Sequence, residues 1–197
     1  MKGGRGPLWK GETEMDNGAS SYRRFLEGDE SAFDEIVDTL FHKLVFFVNG
    51  FVHDYYASED IAIETISDLF VNKGRYNFQV SLKTYLFLLG KRKALNYLKH
   101  QRTVTTVEFS EMERVSDDSI QLEEKVLLDE RARIVRSAIE KLPGDMQMVI
   151  HLIYFEDMTQ EEASKVIGKT KKQVYNLAFR AKTELREILG EQGKKLL

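Results

Sequence analysis

The residues best placed to do chemistry lie near the end of the chain, in MTQEEASKVIGKTKKQVYNLAFRAKTELREIL, Met158 to Leu189. Lys172, Gln173 and Asn176 carry groups that match base edges: lysine suits guanine, and glutamine or asparagine suits adenine. Thr170, Lys171 and Arg180 suit phosphate oxygens, and Tyr175 and Phe179 either touch thymine methyls or pack locally. At about 100° per residue, Lys172, Asn176 and Phe179 point one way, with Gln173, Tyr175 and Arg180 on the flanks.

The elements that must hold them follow from spacing. Thr159 is a good N-cap, and Glu162 three residues on completes a capping box. Ala163, Val166 and Ile167 give the first helix its apolar face, and Gly168 stops it by accepting the left-handed conformation. A second helix from about Thr170 carries Val174, Ala178, Ala181, Leu185 and Ile188 as one narrow inward stripe. Small Ala178 and Ala181 allow close approach to the preceding helix. Two helices and a tight turn make a helix-turn-helix pattern, whose second helix enters the major groove. An αα-hairpin with a solvated lysine-rich face has the same pattern.

Composition narrows the classes. The chain has 197 residues, 42% hydrophobic and 31% charged, with only 2 Pro and no β-type alternation. An all-α protein of two helical domains joined by an acidic flexible linker is expected, the C-terminal one a helix-turn-helix. With 0 Cys there is no disulfide framework, thiol nucleophile or thiolate metal site. No apolar run reaches the roughly 18 residues of a membrane span, and the N-terminus lacks the apolar core of a signal peptide. His42, His53, His100 and His151 match no zinc spacing, and there is no nucleophile elbow or Gly-rich phosphate loop. No cofactor, metal or enzymatic activity is expected.

The net charge of −3 argues against an autonomous high-affinity DNA binder. The charge is uneven, however. Lys91, Arg92, Lys93, Lys99 and Arg102 form a basic stretch. Between Glu108 and Glu130 stand Glu111, Glu113, Asp117, Asp118, Glu123, Glu124 and Asp129 against only Arg114 and Lys125. This acidic run averages away a local positive field.

In chain order, residues 1–19 are Gly-rich and polar, and are expected to be flexible. Ser20 or Ser21 caps a short helix ended by Gly28. Asp29 caps a longer one through Val48, a third starts at Ser58, and Tyr76 to Val80 lie in a loop. Ser81 caps a fourth helix with Leu82, Tyr85, Leu86, Leu89, Leu95 and Leu98 turned inward. A helical domain over 20–101, a linker over 102–118 and a second domain over 119–190 follow. Pro143 starts a helix that holds Met146, Val149, Ile150 and Ile153.

Fragments from both halves together resemble the extracytoplasmic-function subfamily of bacterial RNA polymerase sigma factors, from about Tyr22 to Leu189. They are Ala32-Phe33, Glu59-Asp60 with Glu64, and Tyr85-Leu86 before Lys91-Arg92-Lys93. Leu142-Pro143, Glu161-Glu162-Ala163, Val174 and Arg180-Ala181 follow in the family's order. The chain departs from the pattern at Ile63, Tyr85, Arg92, Gln147 and Gln173, which suggests a divergent member with its own promoter preference.

The resemblance implies a cytoplasmic sigma factor that binds core RNA polymerase and directs it to promoters. It implies that Asp60, Ile61, Glu64 and Asp68 dock on the polymerase β′ clamp, the acids forming an i, i+4, i+8 row. It implies that Tyr76, Asn77, Phe78, Gln79 and Ser81 engage the minus-ten element, where unstacked bases must be held. Lys91, Arg92, Lys93 and Lys99 would grip phosphates of the melting region. Thr170, Lys171, Lys172, Gln173, Tyr175, Asn176, Phe179 and Arg180 would meet the minus-thirty-five element. The helix around Met146, Val149 and Ile150 would help dock on the β flap, core packing being the alternative. An anti-sigma factor is a further partner of the family. A stand-alone helix-turn-helix regulator is the rival reading, and it would bind its operator tightly without polymerase.

Overall fold

The computed structural model describes residues 18–105 and 130–194. Among the described residues there are only helices and turns. Residues 1–17 of the expected flexible segment and 106–118 of the expected linker lie outside them. Among the described residues, no helix is long and apolar enough to cross a membrane.

The N-terminal block holds α1 (Ala19–Leu26), α2 (Ser31–Val52), α3 (Tyr55–Val71) and α4 (Leu82–Thr105). Its outer end is built on Tyr22, Phe25, Ile36, Leu40, Leu69 and Leu82, all nearly inaccessible to solvent. The Tyr22 hydroxyl donates to the carbonyls of Leu69 at 3.2 Å and Lys73 at 2.9 Å. It thereby serves acceptors at the end of α3 that have no partner within the helix. Gly90 lets α4 lie against α2, since a Cβ there would stand 2.8 Å from Leu44 Cδ1.

Helix starts differ from the sequence expectation where side chains compete for the cap. α3 begins at Tyr55 rather than Ser58, because Asp54 accepts from Ala57 N at 3.0 Å. Ser58 is instead buried and donates to the Asp54 carbonyl at 2.6 Å. Gly18, at φ 84, rather than Ser20 or Ser21 precedes α1, and Ser21 donates to Glu35 at 2.8 Å. Glu30 rather than Asp29 is the cap residue of α2, and Asp29 pairs with Arg24 and accepts from the Ser31 hydroxyl at 2.6 Å. Ser81 does serve α4, accepting from Thr84 N at 3.2 Å. Leu95 is 47% exposed, against expectation, since the buried line along α4 passes through Phe87 and Ala94, seven residues apart. That step keeps Ala94 on the inner face and turns Leu95 about 100° off it.

The C-terminal block holds α5 (Glu130–Glu140), α6 (Gly144–Ile150), a π turn (His151–Phe155), α7 (Gln160–Ile167) and α8 (Lys171–Lys194). Pro143 precedes α6 as its cap residue. The π turn is not foreshadowed by the apolar spacing, which reads as one α-helix. In it, Glu156 N–H bonds to the His151 carbonyl, five residues back, at 3.1 Å. Such wide turns recur at functional sites. Gly190, with non-helical φ 51 and ψ −136, breaks α8 one residue past the expected end.

The blocks share a core. Leu44, Val48, Phe87 and Ala94 from the first pack in one cluster with Val149, Leu152, Ala163 and Val166 from the second. A smaller cluster of Leu142, Met146, Ile150 and Ala181 anchors α8 on α6.

Candidate nucleic-acid interface

The second helix of the helix-turn-helix owes its start to sequence chemistry. Thr170 and Gln173 form a reciprocal box: Gln173 Oε1 accepts from Thr170 N at 2.8 Å, and Thr170 Oγ1 from Gln173 N at 3.3 Å. The first helix has the equivalent box, Thr159 with Glu162, and ends at Gly168 with φ 76. Val174, Ala178 and Ala181 are buried, so the opposite face of α8 is free of the core. Thr170, Lys171, Lys172, Gln173, Tyr175, Asn176, Phe179 and Arg180 are all exposed. Tyr175 and Phe179 are 55% and 64% exposed. The arrangement offers cations, amides and ring faces to one flat partner. The amide oxygen of Gln173 is engaged in the cap, which the sequence did not separate from base reading.

The loop before α4 is tightly tied. Tyr76 is buried and its hydroxyl donates to the Val80 carbonyl at 2.6 Å. Asn77 Oδ1 accepts from Gln79 N at 3.2 Å, and Phe78 takes a left-handed φ of 59. Asn77 and Gln79 are exposed, while Phe78 is half-buried against Tyr76 and lies under the Arg23 guanidinium, 5.0 Å from its ring centre. Tyr76 is thus a loop anchor, and Asn77 and Gln79 are its outward hydrogen-bonding groups. A cleft of about 600 Å³ separates this loop from the start of α7.

The basic helix is divided between roles. Arg92 and Lys99 are exposed on α4. Lys93 is half-buried and pairs with Asp68 at 2.8 Å and also with Glu64, which ties the acidic row of α3 to α4. Asp60 is exposed, but Ile61 is only 6% exposed and faces the core; the exposed apolar neighbour of the acids is Ile63. Met146, Val149 and Ile150 are likewise buried.

Sequence reasoning missed the polar contacts between the blocks. Ser81 Oγ donates to Glu162 Oε1 at 2.9 Å, and Thr84 Oγ1 reaches the same oxygen at 3.3 Å. Burial raises the Glu162 carboxyl, but hydrogen bonds from Thr159, Ser81 and Thr84 outweigh that and hold it below its ordinary range. Lys91 donates to the carbonyls of Val166 at 3.0 Å and Ile167 at 2.6 Å. Buried Lys83 donates to the Glu156 carbonyl and stands 3.5 Å from its carboxylate, with Lys43 at 3.8 Å. Next to it His151 stacks on Phe47 and Phe155 and meets Phe46 at a tilt. Burial and the nearby Lys83 and Lys43 push its pKa down to about 4. A lysine and a threonine inside the apolar run SLKTYLFLL were the available signal. Spacing alone could not name their partners, 73 and 78 residues away.

Residues 132–185 match the family model described as Sigma-70, region 4. The chain is 27% identical over 174 residues to the RNA polymerase sigma-H factor of Pseudomonas aeruginosa, covering 84% of this chain and 90% of that protein. It is 22% identical over 181 residues to the ECF RNA polymerase sigma factor SigW of Bacillus subtilis, covering 84% and 95%. Among solved structures, the sigma factor RpoE in complex with the anti-sigma factor NepR from Bartonella quintana superposes with a TM-score of 0.63. The identity there is 20%, over 80% of this chain and 96% of that one. CnrH in complex with the cytosolic domain of CnrY gives a TM-score of 0.59 at 19% identity, over 88% and 97%.

Proposed function

We propose a division of labour for this chain, which belongs to the extracytoplasmic-function sigma factors and directs promoter-specific transcription initiation. The C-terminal domain, over 119–190, reads the minus-thirty-five element, and the N-terminal domain, over 20–101, engages the minus-ten element. The observation that carries this reading is the polar face of α8, exposed from Lys171 to Arg180 while Val174, Ala178 and Ala181 hold its back to the core.

On that face Lys172 and Asn176 read base edges, Thr170, Lys171 and Arg180 grip phosphates, and Tyr175 and Phe179 touch thymine methyls. Gln173 adds base contacts through its amide nitrogen. At the other end Asn77 and Gln79 hydrogen-bond an unstacked base, held beside Phe78 and Ser81 on a loop anchored by Tyr76. Arg92 and Lys99, together with Lys91 and Lys93, hold phosphates. Asp60, Glu64 and Asp68 meet the β′ clamp, with Ile61 fixing α3 from inside, and the α6 region supports docking on the β flap. An anti-sigma factor is proposed as a further partner. Weak binding to free DNA is expected, since polymerase tethers both modules and raises their effective concentration.

Run-off transcription with core polymerase on a promoter library tests the reading. Lys172→Ala with Asn176→Ala should abolish or redirect initiation while polymerase binding persists. Unchanged promoter choice removes both residues from the reading face.

A further inference from the structure

The π turn leaves two rings outside that no promoter contact uses. Its winding buries Leu152 and Glu156 and leaves Tyr154 and Phe155 between them exposed, at 46% and 56%. Phe46 of α2, 54% exposed, lies 4.9 Å from the His151 ring, and His151 stacks on Phe155 at 5.9 Å and 21°. Phe46, His151 and Phe155 thus make a short column of flat rings whose two end members are open to solvent. Lys182 of α8 holds its ammonium 4.7 Å from the centre of the Tyr154 ring. Arg186, one turn further along α8, and Lys43, one turn before Phe46, are exposed as well.

Contiguous exposed apolar surface marks a place where something binds, and the chemistry of this patch selects the partner. The exposed large apolar side chains of α2, the π turn and α8 are Phe46, Tyr154, Phe155, Tyr175 and Phe179, all aromatic. A partner helix brings aliphatic anchors and asks for an apolar groove to receive them. The aliphatic side chains nearest these rings in sequence, Leu44, Val45, Val48 and Leu152, are buried. Rings interleaved with cations instead suit bases that stack and phosphates that need neutralising, with no fixed sequence required. The buried Glu156 carboxylate opposes this little, because Lys83 at 3.5 Å and Lys43 at 3.8 Å offset it. Asp157, two residues past Phe155, is exposed and would repel a phosphate.

We propose that Phe46, Tyr154 and Phe155, with Lys43, Lys182 and Arg186 around them, form a sequence-blind site for single-stranded nucleic acid, either a transcript or a melted DNA strand. A base laid on Phe155 or Phe46 lengthens a column already begun, while the ammonium and guanidinium groups meet the phosphates beside it. The site uses no residue assigned to the minus-ten or minus-thirty-five element, so it stands or falls apart from those assignments.

Dye-labelled oligo-uridylate and oligo-thymidylate of about ten nucleotides, which carry no promoter sequence, are titrated with the full chain and read by fluorescence anisotropy. Both should bind; a preference for the RNA points to a transcript as the source, and one for the DNA to a melted strand. Phe155→Leu and Phe46→Leu keep apolar bulk but remove the flat ring, and each should weaken binding at least about fivefold. Phe155→Trp should preserve or tighten it. Lys182→Ala should lower the slope of log affinity against log salt by about 0.7. Asp157→Asn should tighten binding, a gain that no loss of folding imitates, and circular dichroism checks that helix content is unchanged throughout. Absence of binding overturns the proposal. So does binding that both leucine variants leave unchanged, since the strand then lies elsewhere on the chain. A chain that ignores both oligonucleotides but holds a leucine-rich amphipathic peptide through Phe46 and Phe155 overturns it too, and gives the surface to a protein helix.

Discussion

Lys91 on α4 donates to the carbonyl of Ile167, the last residue of α7, at 2.6 Å, and to Val166 at 3.0 Å. A cation from one block therefore caps a helix of the other, where the macrodipole and the orphan carbonyls both favour it. Burial lowers the Lys91 pKa, a cost that Asp145 partly offsets.

Replacing that ammonium should loosen the whole molecule. Lys91→Met should cost about 1–2 kcal/mol, the worth of a charge-assisted hydrogen bond less the recovered desolvation. The urea midpoint should fall with the slope unchanged.

His151 gives a pH signature. Its pKa is about 4 in the folded chain and about 6.5 when unfolded. Above pH 6.5 it is neutral in both states, so its contribution is fully present there. As pH falls from 6.5 to 4 the unfolded chain takes a proton that the folded chain refuses, and stability drops. The loss approaches about 3 kcal/mol in total, then levels off below pH 4. Glu156 acts in the opposite sense, because burial raises its carboxyl and the folded chain protonates it earlier. His151→Phe keeps a ring against Phe46, Phe47 and Phe155 and should flatten the His151 part of the slope. Denaturant titrations at pH 7.5 and 5.0, compared with the parent, measure it.

Gly90→Ala should destabilise by about 1–3 kcal/mol through overpacking against Leu44. Leu44→Ala alone should cost about 2–5 kcal/mol. The double variant should cost less than the sum, since the truncated Leu44 makes room for the new methyl. An additive result would mean that the helices move apart instead.

The two capping partners of α7 should not be equal. Thr159→Ala loses one cap, about 1 kcal/mol. Glu162→Ala loses the cap and the bond to Ser81 and Thr84, and should lower the thermal midpoint distinctly further.

Much of the candidate reading face was legible in the sequence because its causes are local. The Thr159–Glu162 box, the Gly168 stop and the inward line of Val174, Ala178 and Ala181 each depend on residues three to seven apart. Periodicity and capping see that range directly. The starts of α2 and α3 were missed where neighbouring side chains competed for one backbone donor, and the π turn where apolar spacing fits either helix type.

What the sequence determined by itself was the helical class, the two segments flanking an acidic run, and which face of α8 is polar. What only the tertiary structure decided was which polar side chains those segments spend on each other. Lys83, Lys91, Ser81 and Thr84 look like open donors in sequence, yet each has an acceptor more than 70 residues away. Long-range pairing depends on how whole faces pack. No local rule reports whether a lysine near an apolar stripe will meet water, nucleic acid or a carboxylate from the far half of its own chain.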